Sequence, residues 1–135
     1  MTDIVSLLKE KKLTVTPQRV EIINLLGSNR HSNVDELYSL LHSSFPSISL
    51  ATVYKNINIM LEKSLLSEVQ IPTKKNVYEI DKGEHCHVAC LECNEILDLE
   101  LDTKNVLKDA ESQTGYTLKS SKIVFTGICS SCKEN

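Results

Sequence analysis

Residues His85 to Asp98 read H-C-H-V-A-C-L-E-C-N-E-I-L-D, which packs two histidines, three cysteines and an aspartate into one stretch. Cys90 and Cys93 make a C-x-x-C, and Cys129 and Cys132 make a second near the C-terminus. A tight turn at each knuckle brings two sulfurs to one side. Two knuckles then offer four soft ligands in a tetrahedron, the donor set of a closed structural Zn²⁺ site. The 35 residues between Cys93 and Cys129 exceed the usual zinc-ribbon gap, so that segment must fold as a unit and return to the first knuckle. The competing readings are disulfides and inert buried thiols. Disulfides need an oxidising compartment, and the opening M-T-D-I has no basic-then-apolar run of a signal peptide, so a cytoplasmic location is expected. Cys86 stands outside both knuckles and reads as a plain thiol. His85 and His87, an i, i+2 pair, project to one face of an extended segment. With carboxylates nearby they suggest a second, mixed N/O site for Fe²⁺, Mn²⁺ or Zn²⁺; the plainer alternative is the polar face of a strand.

The chain that must position these groups has 135 residues, enough for one compact domain or two small ones, and its 41% apolar content is ordinary for a globular protein. No stretch approaches a transmembrane span, so no membrane association is expected. The net charge of −3 argues against a non-specific nucleic-acid coat, but its distribution is uneven. Residues 1–80 hold nine Lys and Arg against eight Asp and Glu, a net of +1, while residues 81–135 hold six against ten, a net of −4. The first part is the one suited to meet a polyanion.

Four helices are expected in residues 1–80. Thr2 to Lys12 carries Ile4, Val5, Leu7 and Leu8 on a helical period with lysines in the last turn. Thr16-Pro17 reads as a cap and first helical residue, opening a stripe through Val20, Ile23 and Leu26 that stops at Gly27. Asn33 with Glu36 forms a capping box for a third helix, broken at Phe45-Pro46. Ser49 caps a fourth, from Leu50 to about Lys63, with Leu50, Val53, Ile57, Met60 and Leu61 as its core face. Its other side offers Thr52 and Lys55, with Tyr54 and Asn56 at the edges, groups able to read base edges and grip phosphates. Leu66–Ile71 and Val77–Ile80 read as strands of a hairpin with Lys74 and Lys75 at its tip. That order is a winged helix-turn-helix, with a solvated helical bundle as the bland alternative. Residues 81–135 read as a small α/β unit: a crossing segment over 81–87, a strand at Ile96–Leu101, a helix at Thr103–Thr114, and one or two strands within Tyr116–Ile128. The fold class is thus α+β, an N-terminal winged helix (1–80) followed by an α/β unit (81–135) that needs a zinc staple and dimerisation for stability.

The motifs T-P-Q-R at 16–19, His31 before N-V-D-E-L-Y, S-L-A-T-V-Y-K-N at 49–56, and H-C-H-V-A-C-L-E-C resemble the Fur (ferric uptake regulator) family from about Lys9 to Cys132. The resemblance implies a homodimeric, metal-dependent repressor that binds double-stranded operator DNA, with structural zinc on Cys90, Cys93, Cys129 and Cys132. It adds Arg19 and Ser49 to the DNA-binding set, and it places a regulatory Fe²⁺ or Mn²⁺ on His31, Glu79, His85, His87 and Asp98. Asp98 stands where iron-sensing members usually carry Glu and the peroxide-responsive PerR branch carries Asp, so PerR is the nearer likeness. In that branch His31 and His85 would be the oxidation-sensitive ligands. Three positions depart from the pattern: Glu79 where PerR proteins commonly have Asp, Asn94 where a glycine usually follows the knuckle, and Thr14 where a basic residue often stands.

The residues alone support the same mechanism. An ion shared between the two parts would fix their angle and hence the spacing of two recognition helices in a dimer. A metalloenzyme would need a spare acid or base, and four histidines leave little over, so no catalysis is expected. A zinc-stapled protein-interaction module would not need the basic hairpin tip or the His and carboxylate set.

Overall fold

The computed structural model describes residues 3–29, 31–83 and 85–134, and the chain divides into two compact units, Met1–Asp81 and Lys82–Asn135. Thr2, the expected start of the first helix, lies outside the described residues.

The first unit runs α1 (Ile4–Glu10), α2 (Pro17–Asn29), α3 (Val34–Ser44), α4 (Leu50–Glu62), β1 (Leu66–Val69) and β2 (Val77–Ile80). The starts of the later helices obey capping chemistry. Thr16 Oγ1 accepts from the Arg19 N–H at 3.2 Å just ahead of Pro17. Asn33 and Glu36 close a reciprocal capping box, and Ser49 Oγ accepts from the Thr52 N–H at 3.1 Å. Ile22 and Leu26 from α2, Leu37 and Leu41 from α3, and Val53, Ile57 and Met60 from α4 are fully buried together. These positions recur every three or four residues, which is what aligns each helix on the shared core. The hairpin β1–β2 is antiparallel, with Leu66 opposite Ile80 and Val69 opposite Val77. The unit is a winged helix-turn-helix.

The second unit runs β3 (Cys86–Cys90), β4 (Ile96–Leu99), α5 (Lys104–Thr114), β5 (Val124–Gly127) and α6 (Ser130–Lys133). Its sheet has the order β4-β3-β5, with β3 antiparallel to β4 and parallel to β5. Burial is concentrated on the central strand, in Cys86, His87, Ala89 and Cys90, and α5 buries no residue fully. Leu97 and Phe125 flank Val88 across the three strands and are 51% and 47% exposed.

Several local expectations need correction. Gly27 does not end α2, which continues to Asn29. A lone glycine costs a helix only about 1 kcal/mol, and burial of the Ile22–Leu26 stripe outweighs that. Leu50 is not core but 40% exposed, since the buried stripe of α4 begins one turn later at Val53. β1 ends at Val69 and β4 at Leu99, both earlier than expected. The segment assigned as a crossing becomes strand at Cys86, whereas Tyr116–Ile128 holds one strand, β5, as expected. Thr103 is the cap of α5 rather than its first residue.

The capping box gives a direct test of this packing. Asn33→Ala should lower the stability of the first unit by about 1 kcal/mol, and Leu41→Ala by about 2–5 kcal/mol. Urea unfolding followed by far-ultraviolet circular dichroism would measure both.

Candidate functional site

The four knuckle cysteines converge because of strand register. Parallel pairing sets Cys90, the last residue of β3, against Gly127, the last of β5, and the Leu91 N–H donates to the Gly127 carbonyl at 2.8 Å. Cys129 follows two residues later, so the return of the long intervening segment is accomplished by one strand. The first knuckle closes through the Asn94 N–H to the Cys90 carbonyl, 3.1 Å, with Asn94 at φ +66°, a left-handed conformation asparagine tolerates. In the second, Cys129 caps α6 and its sulfur accepts from the Cys132 N–H at 3.4 Å.

The sulfurs of Cys90 and Cys132 lie 3.8 Å apart, as do those of Cys93 and Cys129, and all four fall within 4.8 Å of one another. A tetrahedron with Zn–S bonds of about 2.3 Å has edges of roughly 3.8 Å, whereas a disulfide requires about 2.0 Å. All four are free thiols arranged as a metal cage would have them. Backbone N–H groups of Cys93 and Cys129 point at the Cys90 sulfur from 3.5 and 3.4 Å and bring its pKa down to about 6. Cys132 is pushed far up instead, chiefly by the neighbouring Cys129 sulfur and by burial. Four thiols this close cannot all ionise unless a cation compensates them, and a dication would do so. Cys86, buried on β3, takes no part.

In the same unit, antiparallel register sets His87 opposite Asp98. Asp98 Oδ1 lies 3.4 Å from His87 Nε2 and 3.6 Å from His85 Nε2, and the two rings are 4.4 Å apart between centroids. His85 Nδ1 sits 2.9 Å from the Gly83 carbonyl, which fixes the proton on Nδ1 and directs Nε2 toward the carboxylate. Lys82 Nζ holds the other oxygen, Oδ2, at 2.6 Å.

The first unit makes a comparable pair by the same device. Ser32 and Tyr78 form an isolated antiparallel bridge, with N–H to carbonyl distances of 3.2 and 2.8 Å. The next residues out along that register are His31 and Glu79, whose Nε2 and Oε2 meet at 2.9 Å. Glu79 is 2% exposed, and a carboxylate so buried needs a cationic partner or a metal. A structural ion pair and a metal half-site are both compatible with this contact.

On α4, Thr52, Tyr54 and Lys55 are exposed. Ser49 serves as the cap, its hydroxyl 2.9 Å from that of Thr52. Arg19 and Asn56 meet each other: Arg19 Nε donates to Asn56 Oδ1 at 2.9 Å and Arg19 also donates to the Thr14 carbonyl at 2.9 Å. At the hairpin tip Lys74 is half-buried, and exposed Lys75 is ion-paired with Asp35 at the start of α3, which raises the lysine pKa. Asp35, Lys82, Gly83 and the Thr14 carbonyl escaped sequence reasoning. Asp35 and Lys75 are 40 positions apart, and no periodicity links them.

Residues 10–126 match the sequence profile of the Ferric uptake regulator family. The chain belongs to the ferric uptake regulator family. This Fur-family chain is 26% identical over 129 residues to the peroxide-responsive repressor PerR of Staphylococcus aureus, covering 94% of this chain and 87% of that one. Its fold resembles that of the Campylobacter jejuni peroxide stress regulator, with a TM-score of 0.73 and 35% identity over 97% of this chain and 100% of the other. The Vibrio cholerae ferric uptake regulator gives a TM-score of 0.78 at 27% identity, covering 94% and 100%. Fur-family proteins are metal-responsive, DNA-binding transcription regulators and not enzymes. Among the described residues no helix is long and apolar enough to cross a membrane.

The sulfur geometry sets a clear expectation. Cys90→Ser or Cys129→Ser should lose one zinc per chain and yield monomeric or unfolded protein, because binding energy at such a site is folding energy. Cys86→Ser should keep its zinc. Elemental analysis with light scattering would check all three.

Proposed function

We propose that this chain is a homodimeric, metal-dependent repressor that binds operator DNA and responds to hydrogen peroxide. The observation that carries this reading is Asp98, a short carboxylate set by strand register against the His85 and His87 rings. Aspartate at this position is the feature by which the chain resembles the PerR branch. The 35% identity to a peroxide stress regulator lends support.

Cys90, Cys93, Cys129 and Cys132 hold structural Zn²⁺ in this reading. His85, His87 and Asp98 from the second unit, with His31 and Glu79 from the first, hold regulatory Fe²⁺ or Mn²⁺, hard and borderline ions that suit imidazole and carboxylate. When bound, Fe²⁺ supplies the reductant for hydrogen peroxide, with the imidazoles of His31 and His85 exposed to the resulting oxidant. The chain's own contribution is to orient those imidazoles: the Gly83 carbonyl fixes the His85 tautomer, and the Ser32–Tyr78 bridge fixes His31 against Glu79. Ligation would order the chain before DNA arrives, and without it that cost of ordering falls on DNA binding. The exposed Leu97 and Phe125 of an otherwise thinly packed sheet support dimerisation through the second unit.

For DNA, Thr52, Tyr54 and Lys55 form the reading face. Arg19, Asn56 and Ser49 act on that face partly by positioning α4, and Lys74 and Lys75 act through phosphates. Removing Lys75 should weaken binding to all sequences and lower the salt slope by about one unit. Changes at Thr52 or Tyr54 should alter which operator is preferred, as gel shifts with DNA selected from a random library would show.

The peroxide response has its own test. Hydrogen peroxide should abolish binding of that selected DNA by Fe²⁺-loaded protein and spare the Mn²⁺-loaded form. Mass spectrometry should find one added oxygen on a peptide containing His31 or His85, and Asp98→Glu should suppress it. Retained DNA binding with both histidines unmodified would instead favour a ferrous-iron sensor, the alternative suggested by Glu79 in place of the aspartate common among PerR proteins.

A further inference from the structure

Lys82 makes a contact that metal binding by itself does not require. Its ammonium lies 2.6 Å from Asp98 Oδ2, while Oδ1 of the same carboxylate faces His87 Nε2 at 3.4 Å and His85 Nε2 at 3.6 Å. The two oxygens thus face different groups, Oδ2 the ammonium and Oδ1 the imidazole pair. A site built only for tight metal binding would not place an ammonium there, because it competes for the carboxylate and repels an arriving dication. Stability does not explain it either: the Lys82 side chain is 51% exposed, and ion pairs that open to solvent contribute little. The neighbouring residue reinforces the pattern. Gly83, at φ +88°, turns its carbonyl onto His85 Nδ1, so two consecutive residues back two different ligands.

We propose that Lys82 is a positioning residue that confines Asp98 to one-oxygen ligation and holds down the affinity of the regulatory site for divalent metal. This inference rests on reading His85, His87 and Asp98 as ligands. With Oδ2 drawn to Lys82, Oδ1 is the oxygen the carboxylate would offer a metal. A dication entering the site must also share the carboxylate with a positive charge already in place. Both effects keep bound metal exchangeable and accessible.

The test uses the full-length, zinc-loaded protein and Mn²⁺ alone as probe, with free Mn²⁺ counted by electron paramagnetic resonance. Lys82→Met should bind Mn²⁺ about five- to tenfold more tightly, the scale of one partly screened charge removed from beside the ion. Lys82→Arg, which keeps the charge, should stay within about twofold of wild type by the same reasoning. In protein carrying ¹³C-labelled aspartate, the infrared splitting of the Mn²⁺-bound carboxylate should narrow in Lys82→Met as both oxygens reach the metal. In an Asp98→Ala background Lys82→Met should lose its effect, since the two act through one carboxylate. Unchanged or weaker Mn²⁺ binding by Lys82→Met, or the same gain without Asp98, would overturn the role of Lys82 alone. If wild type keeps its zinc but binds no Mn²⁺ that Asp98→Ala weakens, the regulatory-site reading falls and this inference with it.

Discussion

The pairing of β3 with β5 is the constraint on which the second unit depends. It places the end of one strand beside the end of the other, and each end opens into a cysteine knuckle. Slipping this register by a single residue would reverse every side chain of one strand relative to its neighbour. The Cys90–Gly127 alignment that seats four sulfurs together would be lost, and so would the buried face of β3. The unit has few apolar residues to enforce that register, because full burial is confined to the central strand. The sulfurs supply what packing does not: a cation between them would lock the strand ends from which they emanate.

Both histidine and carboxylate pairs arise from one geometric device. An antiparallel bridge aligns side chains opposite one another across the backbone, and the Ser32–Tyr78 and His87–Asp98 registers each bring an imidazole to a carboxylate. Each pair is rigid because its backbone is hydrogen-bonded on the spot. Neither depends on a flexible loop finding its place, so each unit carries its own preformed imidazole–carboxylate pair.

Much of this was legible in the sequence because it is local. The capping box of Asn33 and Glu36, the Ser49 cap, the buried stripe Val53–Ile57–Met60 and the paired C-x-x-C are all written within a few residues. What was not legible depends on partners distant in the chain. Gly27 looked like a stop, yet core burial carried α2 past it. Leu50 fitted the apolar period of α4 but lies in a first turn that the core does not reach. Lys75 and Arg19 read as cations for DNA, and the structure gives each a protein partner, Asp35 and Asn56, that no periodicity announces. Lys82 carries no local signature, because its meaning depends on where β4 places Asp98.

The Arg19–Asn56 contact has an evolutionary consequence. Asn56 hydrogen-bonds back to the Thr52 carbonyl of its own helix as well as to Arg19, so it is a tie between α2 and α4. A substitution there would disturb the seating of the whole helix, whereas Thr52, Tyr54 and Lys55 project outward and can change one at a time. Variation at those outward positions would leave the seating of α4 intact, whereas loss of the arginine or the asparagine would not. The tie separates the part of the helix free to drift from the part that inheritance must preserve.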